Sequence, residues 1–141
     1  MLTGIDPILT GSLLAHLDEM GHSDGVVIAD AHFPAHRLAS RQLAFPGLST
    51  PQVLTAVRTV LPLDDAPSLD LMASADGRRL DVQNELIEAA GASDDDVRWL
   101  ARQAFYDAAA AAYLIIRTGE ARPYGNVIVR KGLVVDDRGA V

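Results

Sequence analysis

The sequence predicts an α/β fold: a single three-layer domain with a largely parallel central sheet and flanking helices. Three observations predict it. Helical and strand-like patterns alternate through most of the 141 residues. Val26-Val27-Ile28-Ala29 is a continuous apolar run, β-branched at three of four positions, as in a strand buried on both faces of a parallel sheet. The apolar content of 49% is enough for one core, and no apolar run approaches the roughly 18 residues of a membrane span.

Each element has its own local signal. Thr10-Gly11-Ser12 offers capping hydroxyls before Leu13, Leu14, Leu17 and Met20, which share a helical stripe, and Gly21 suits the helix end. Asp30 ends the first strand, and a loop rich in His, Pro and Ala runs from 31 to about 40. Residues 42–45 form a second strand, stopped by Pro46-Gly47. Thr50 as N-cap and Pro51 as first helical residue open a helix whose apolar face is Val53, Leu54, Val57 and Val60, closed by Pro62. Residues 69–73 read as strand, and 81–90 as a helix with Val82, Leu86 and Ile87 inward. Ser93 to Asp96 is a loop or helix start. An Ala-rich helix runs from Arg102 to about Ala111, then strands at 113–117 and 127–130. Residues 1–135 form the one domain, and 136–141 a frayed polar tail.

Composition removes several function classes. Without cysteine there is no disulfide, thiolate or Cys-zinc chemistry. A net charge of −7 and no basic stripe argue against nucleic acid, whereas a neutral small molecule meets no repulsion. The N-terminus lacks a basic region followed by an apolar stretch, so neither a signal peptide nor a membrane partner is expected, and the expected location is cytoplasmic. No Walker loop, dinucleotide fingerprint or nucleophile elbow is present.

The densest polar cluster flanks the first strand: His22-Ser23-Asp24-Gly25 before it, Asp30 to His36 after it. In a parallel sheet, ligands sit beyond the carboxyl ends of strands, which is where Asp30 lies. His22 and Asp30 sit at opposite ends of about four residues of strand, roughly 13 Å of backbone. They converge only if the helix end folds over the sheet or a second subunit contributes. On spacing alone His22 reads as a helix-end histidine satisfying terminal carbonyls, and Asp30 as a loop cap. His32 and His36 are four apart, but Pro34 lies between them and no Glu accompanies them, so no metal is expected. Arg102 reads as a solvated helix residue, and Tyr124-Gly125-Asn126 as a turn.

Taken together and in order, Gly21-His22, Asp30-Ala31-His32-Phe33-Pro34-Ala35-His36, Phe105-Tyr106, Thr118-Gly119-Glu120 and Tyr124-Gly125-Asn126 resemble the ribose pyranase and fucose mutarotase family. The resemblance spans Gly4 to Leu133 and is weakest from about Asp64 to Asp96. It implies cofactor-free interconversion of the cyclic forms of a free monosaccharide. It implies His22 as proton donor and Asp30, Arg102, Tyr124, Gly125 and Asn126 as sugar contacts, with His36 and Tyr106 as possible additions. It also implies a ring-shaped homo-oligomer, commonly a decamer, with sites at subunit interfaces. Phe33-Pro34-Ala35-His36, Arg102, Phe105-Tyr106 and Gly125 resemble the fucose branch, while Pro123 resembles the ribose branch.

The residue types suit the chemistry. Mutarotation opens a hemiacetal and recloses it on the other face. One proton goes to the ring oxygen and one leaves the anomeric hydroxyl. Histidine, with an unperturbed pKa of about 6.5, donates and accepts near neutral pH. Asp30 would accept from sugar hydroxyls, Arg102, Tyr124 and Asn126 would donate, and His36 is a second candidate for the base. The alternatives are a pyranose–furanose interconversion of the ribose type, a non-catalytic sugar-binding module, and a metal-dependent hydrolase.

Overall fold

The apolar run predicted as the first strand lies at the middle of a six-stranded sheet. The strands are β1 (Gly25–Ala29), β2 (Gln42–Phe45), β3 (Leu69–Met72), β4 (Val97–Leu100), β5 (Leu114–Thr118) and β6 (Val127–Arg130), in the order β2-β5-β1-β6-β3-β4. The helices are α1 (Gly11–Glu19), α2 (Ala35–Leu38), α3 (Thr50–Arg58), α4 (Asp81–Ala90) and α5 (Arg102–Ala110). This computed structural model describes residues 1–136, so the expected frayed tail lies, but for Asp136, outside the described residues.

β1, β2 and β5 pair in parallel, as do β3 and β4, while β6 runs antiparallel between β1 and β3. The sheet is therefore mixed: largely parallel as predicted, but reversed at one inner strand. The reason is the β5–β6 connection, residues 119–126, which has no helix. A parallel crossover needs about a dozen residues or more, so this shorter link returns the chain in the opposite sense. Five carboxyl ends thus share one edge of the sheet, and β6 starts at that same edge.

Alternation along the strands feeds two apolar layers. Val26, Ile28, Leu69, Leu71, Leu114, Ile116, Val127 and Val129 face the helices α1, α3 and α4 through Leu13, Leu17, Val53, Leu54, Val57, Leu86 and Ile87. Val27, Ala29, Met72, Ile115 and Ile128 face α2 and α5 through Ala35, Phe105 and Ala109, with Phe33 between. No helix among the described residues is long and apolar enough to cross a membrane.

Three local expectations are corrected. β4 was not foreseen: it is a four-residue edge strand behind an acidic 3₁₀ turn (Asp94–Asp96), and its Arg98 and Trp99 are exposed. The 31–40 segment holds a one-turn helix, α2, rather than loop throughout. The N-cap of α3 is Ser49, in a capping box with Gln52, which places Thr50 and Pro51 one position further into the helix. Thr50 is fully buried and its hydroxyl serves elsewhere.

One buried charge shapes the β3 side of the sheet. Asp70 accepts from Arg98 at 2.9 and 3.1 Å, and from Arg130 at 2.7 and 3.2 Å. Its side chain is 1% exposed. Asp70→Ala leaves two guanidiniums beside each other without a counter-charge. It is expected to lower unfolding free energy by about 3 kcal/mol, read from the urea midpoint at unchanged slope.

Candidate functional site

At the edge where the carboxyl ends gather lies a cavity of about 260 Å³, lined by Asp30, His32, Phe33, Met72, Arg102, Tyr106, Pro123, Tyr124 and Asn126. Each arrives from a strand end or the segment next to one. Asp30, His32 and Phe33 follow β1, and Met72 closes β3. Arg102 and Tyr106 stand one turn apart on α5, which follows β4. Pro123 to Asn126 precede β6. The volume lies below the usual range for drug-sized ligands and suits a small one.

The centre of the site is a paired contact. The Asp30 N–H donates to Asn126 Oδ1 at 2.7 Å, and Asn126 Nδ2 donates to Asp30 Oδ2 at 3.0 Å. Asp30 Oδ1 accepts the His32 N–H at 3.0 Å. A carboxylate has about four lone-pair sites, so Asp30 keeps acceptor capacity for a ligand. Arg102 Nε donates to the Tyr106 hydroxyl at 3.2 Å, which raises the guanidinium pKa further and leaves its Nη groups to donate. Phe33 packs edge-on against Tyr106 and Phe105, forming an apolar wall.

Tyr124 has φ of +62°, a left-handed conformation unusual for an aromatic residue. Its hydroxyl accepts the Ala75 N–H at 3.2 Å, so its own proton is free to donate. Gly125 is buried and does not line the cavity. A Cβ there would meet Glu120 Cγ at 2.9 Å and Val82 Cγ2 at 3.2 Å. Glycine at 125 is thus required where the loop presses on Glu120 and α4.

Glu120 is 5% exposed, and its carboxylate accepts from Arg122 Nε and Nη2, each at 3.0 Å, and from the Arg122 N–H at 3.2 Å. The Thr50 hydroxyl donates to it at 3.4 Å. The Arg122 hydrogen bonds hold the carboxyl below its usual range, against the opposing effect of burial. A depressed folded pKa means stability that is complete above the unfolded value of about 4.3 and lost as pH falls through the folded one. Thermal melts over about pH 3 to about pH 6 are expected to show this acid loss, and Glu120→Gln to flatten it.

His22 lies elsewhere. It precedes β1, at the opposite edge of the sheet, roughly 16 Å of strand away from Asp30. Its Nε2 is 3.0 Å from Asp64 Oδ1, and its side chain is 52% exposed. The Ser23 hydroxyl donates to Asp64 Oδ2 at 2.7 Å and the Asp65 N–H to Oδ1 at 2.9 Å. Ser23 first, then Asp65 and His22, hold the Asp64 carboxyl below its usual range. Lys131 caps the preceding helix end, its Nζ donating to Leu17 O and Met20 O, each at 2.7 Å.

Of the sequence-predicted residues, the cavity gathers Asp30, Arg102, Tyr106, Tyr124 and Asn126. Gly125 stands behind it, His22 at the far edge, and His36 on the exposed surface of α2. Met72, Phe33, His32, Pro123 and Asp64 were not singled out for these places. The rule that ligands sit beyond strand carboxyl ends would have found Met72 and Phe33. Among the described residues no three potential metal ligands converge.

The model of the RbsD / FucU transport protein family matches residues 3–134. A fucose mutarotase from Streptococcus pneumoniae, solved in complex with L-fucose, is 32% identical with a TM-score of 0.88, covering 95% of this chain and 100% of that one. FucU from Bifidobacterium longum is 35% identical with a TM-score of 0.82, covering 94% and 99%. Bacillus subtilis RbsD, solved with D-ribose, shares the fold at 23% identity and a TM-score of 0.75, covering 95% and 99%. The fold and nearly the whole length of the sequence agree: the chain belongs to the RbsD / FucU family.

Proposed function

We propose that this protein is a cofactor-free monosaccharide mutarotase, an isomerase, with L-fucose as its first candidate substrate. The observation that carries the reading is the meeting of Asp30, Arg102, Tyr106, Tyr124 and Asn126 around one small cavity. The fucose mutarotase solved with L-fucose is 32% identical to this chain, against 23% for the RbsD solved with D-ribose, which favours fucose over ribose.

The residues divide the work by chemistry. Asp30 accepts from sugar hydroxyls, and Arg102 and Tyr124 donate to hydroxyls or the ring oxygen. Phe33 and Met72 cover an apolar edge of the ligand. Because Asp64 is ionised and accepts at His22 Nε2, that nitrogen carries its proton, and Nδ1 is left to take and return the exchanging one. Within one protomer His22 cannot reach the cavity. We therefore assign the proton transfer to His22 of a neighbouring copy in a ring-shaped homo-oligomer, a decamer being the expected form. His32 is the imidazole the protomer itself brings to the cavity. That placement favours a second reading, a sugar-binding module without exchange activity, should His22 never meet the cavity.

Saturation-transfer NMR of fucose, ribose and galactose measures the exchange directly. His22→Ala is expected to lower the rate by about 10²–10⁴-fold, and full retention would end the assignment. His22→Ala and Asp30→Ala proteins, each inactive alone, are expected to recover about a quarter of the wild-type rate when co-expressed, because random mixing leaves one interface site in four intact. Light scattering reads the oligomer size, and calorimetric binding without exchange would support the module instead.

A further inference from the structure

The segment that presents Tyr124 and Asn126 has no helix or strand of its own, yet it holds an aromatic residue at positive φ. Contacts outside the cavity add to the Asp30–Asn126 pair in fixing it. Glu120 Oε1 and Oε2 take Arg122 Nη2 and Nε at 3.0 Å each, and the other side of the same guanidinium meets Glu85 on α4, Nη2 to Oε1 at 3.3 Å and Nη1 to Oε2. One arginine therefore bridges two carboxylates, one buried in the loop and one on a helix. Both flat edges of the guanidinium are used, a geometry lysine cannot copy.

The same bridge bears directly on the site. Gly125 sits on Glu120 Cγ with no room for a methyl group, and its neighbours on either side are Tyr124 and Asn126. A shift of Glu120 moves that seat. The first turns of α4 hold the other wall: Gln83 Nε2 donates to Met72 O at 2.8 Å, and Met72 lines the cavity. Neither Glu120, Arg122 nor Glu85 lines the cavity.

We propose that Glu85, Arg122 and Glu120 form a positioning bridge that anchors the 119–126 segment to α4 and so sets where Tyr124 and Asn126 meet the sugar. These are positioning residues rather than catalytic ones, and their effect on exchange rests on the mutarotase reading above. The bridge itself does not, because it acts on the placement of Tyr124.

The test uses two readouts. With 3-fluorotyrosine incorporated at the three tyrosines, the Tyr124 resonance is assigned by Tyr124→Phe. Glu120→Gln and Glu85→Gln are expected to shift or broaden that resonance. They are also expected to raise the half-saturating sugar concentration at least about tenfold for Glu120→Gln, and less for the exposed Glu85→Gln, with the pH profile of exchange unchanged. Val57→Ala, a cavity in the α3 core, lowers stability and is expected to leave both readouts alone. Unchanged Tyr124 resonance and half-saturation in the two Gln variants would overturn the proposal, as would the same changes in Val57→Ala. If the wild type exchanges no sugar, the mutarotase reading falls and the Tyr124 resonance alone decides. If Glu120→Gln does not fold, Glu85→Gln decides, since its side chain is 45% exposed and its loss leaves the core intact.

Discussion

Two hydrogen bonds between residues 96 apart in sequence hold the candidate site together: Asp30 N–H to Asn126 Oδ1, and Asn126 Nδ2 to Asp30 Oδ2. They join the end of β1 to the start of β6, and they exist only because β6 runs against its neighbours. A parallel sixth strand would begin at the opposite edge. The pairing also explains the residue types. Asparagine offers a donor and an acceptor on one planar group, which answers both a backbone N–H and a carboxylate. An aspartate at 126 would set two carboxylates against each other in a buried place.

Much of the fold could be read from local pattern. The strands at 42–45 and 127–130 and the helix at 81–90 fall where predicted, because a buried strand or an amphipathic helix writes its period into a short stretch. β4 escaped because half of it is solvated and its pairing with β3 is a long-range fact. Ser49 displaced Thr50 as the cap because either hydroxyl fits the pattern, and burial beside Glu120 decides between them. The site was less legible. Strand arithmetic did separate His22 from Asp30. No spacing rule links Asp30 to Asn126, or His22 to Asp64 across 42 residues. Those contacts follow from strand order, and the residues around the cavity came into view through family resemblance.

The charge distribution fits a neutral ligand. The net charge is −7, yet several arginines are committed to contacts within the chain: Arg98 and Arg130 on Asp70, Arg122 on Glu120 and Glu85, and Arg58 on the Ala90 and Leu61 carbonyls that end α4 and follow α3. These guanidiniums order loops and helix ends. Arg102 is the cation that lines the cavity, and with Asp30 it gives the site one charge of each sign.

The strand order has one more effect. β1 lies between β5 and β6, so the 119–126 segment crosses over the end of β1 like an arch, tied beneath by the Ala31 N–H to Glu120 O at 2.9 Å. Its feet stand about 10 Å apart, two strand spacings, a gap that eight residues bridge with length to spare. That surplus sits at its crest, where Ala121, Arg122 and Pro123 are exposed. The crest can therefore vary at Ala121 and Pro123 while Arg122 keeps its two carboxylates and the sheet below keeps its register, so the roof of the cavity, which Pro123 lines, can change in chemistry without disturbing the fold beneath it.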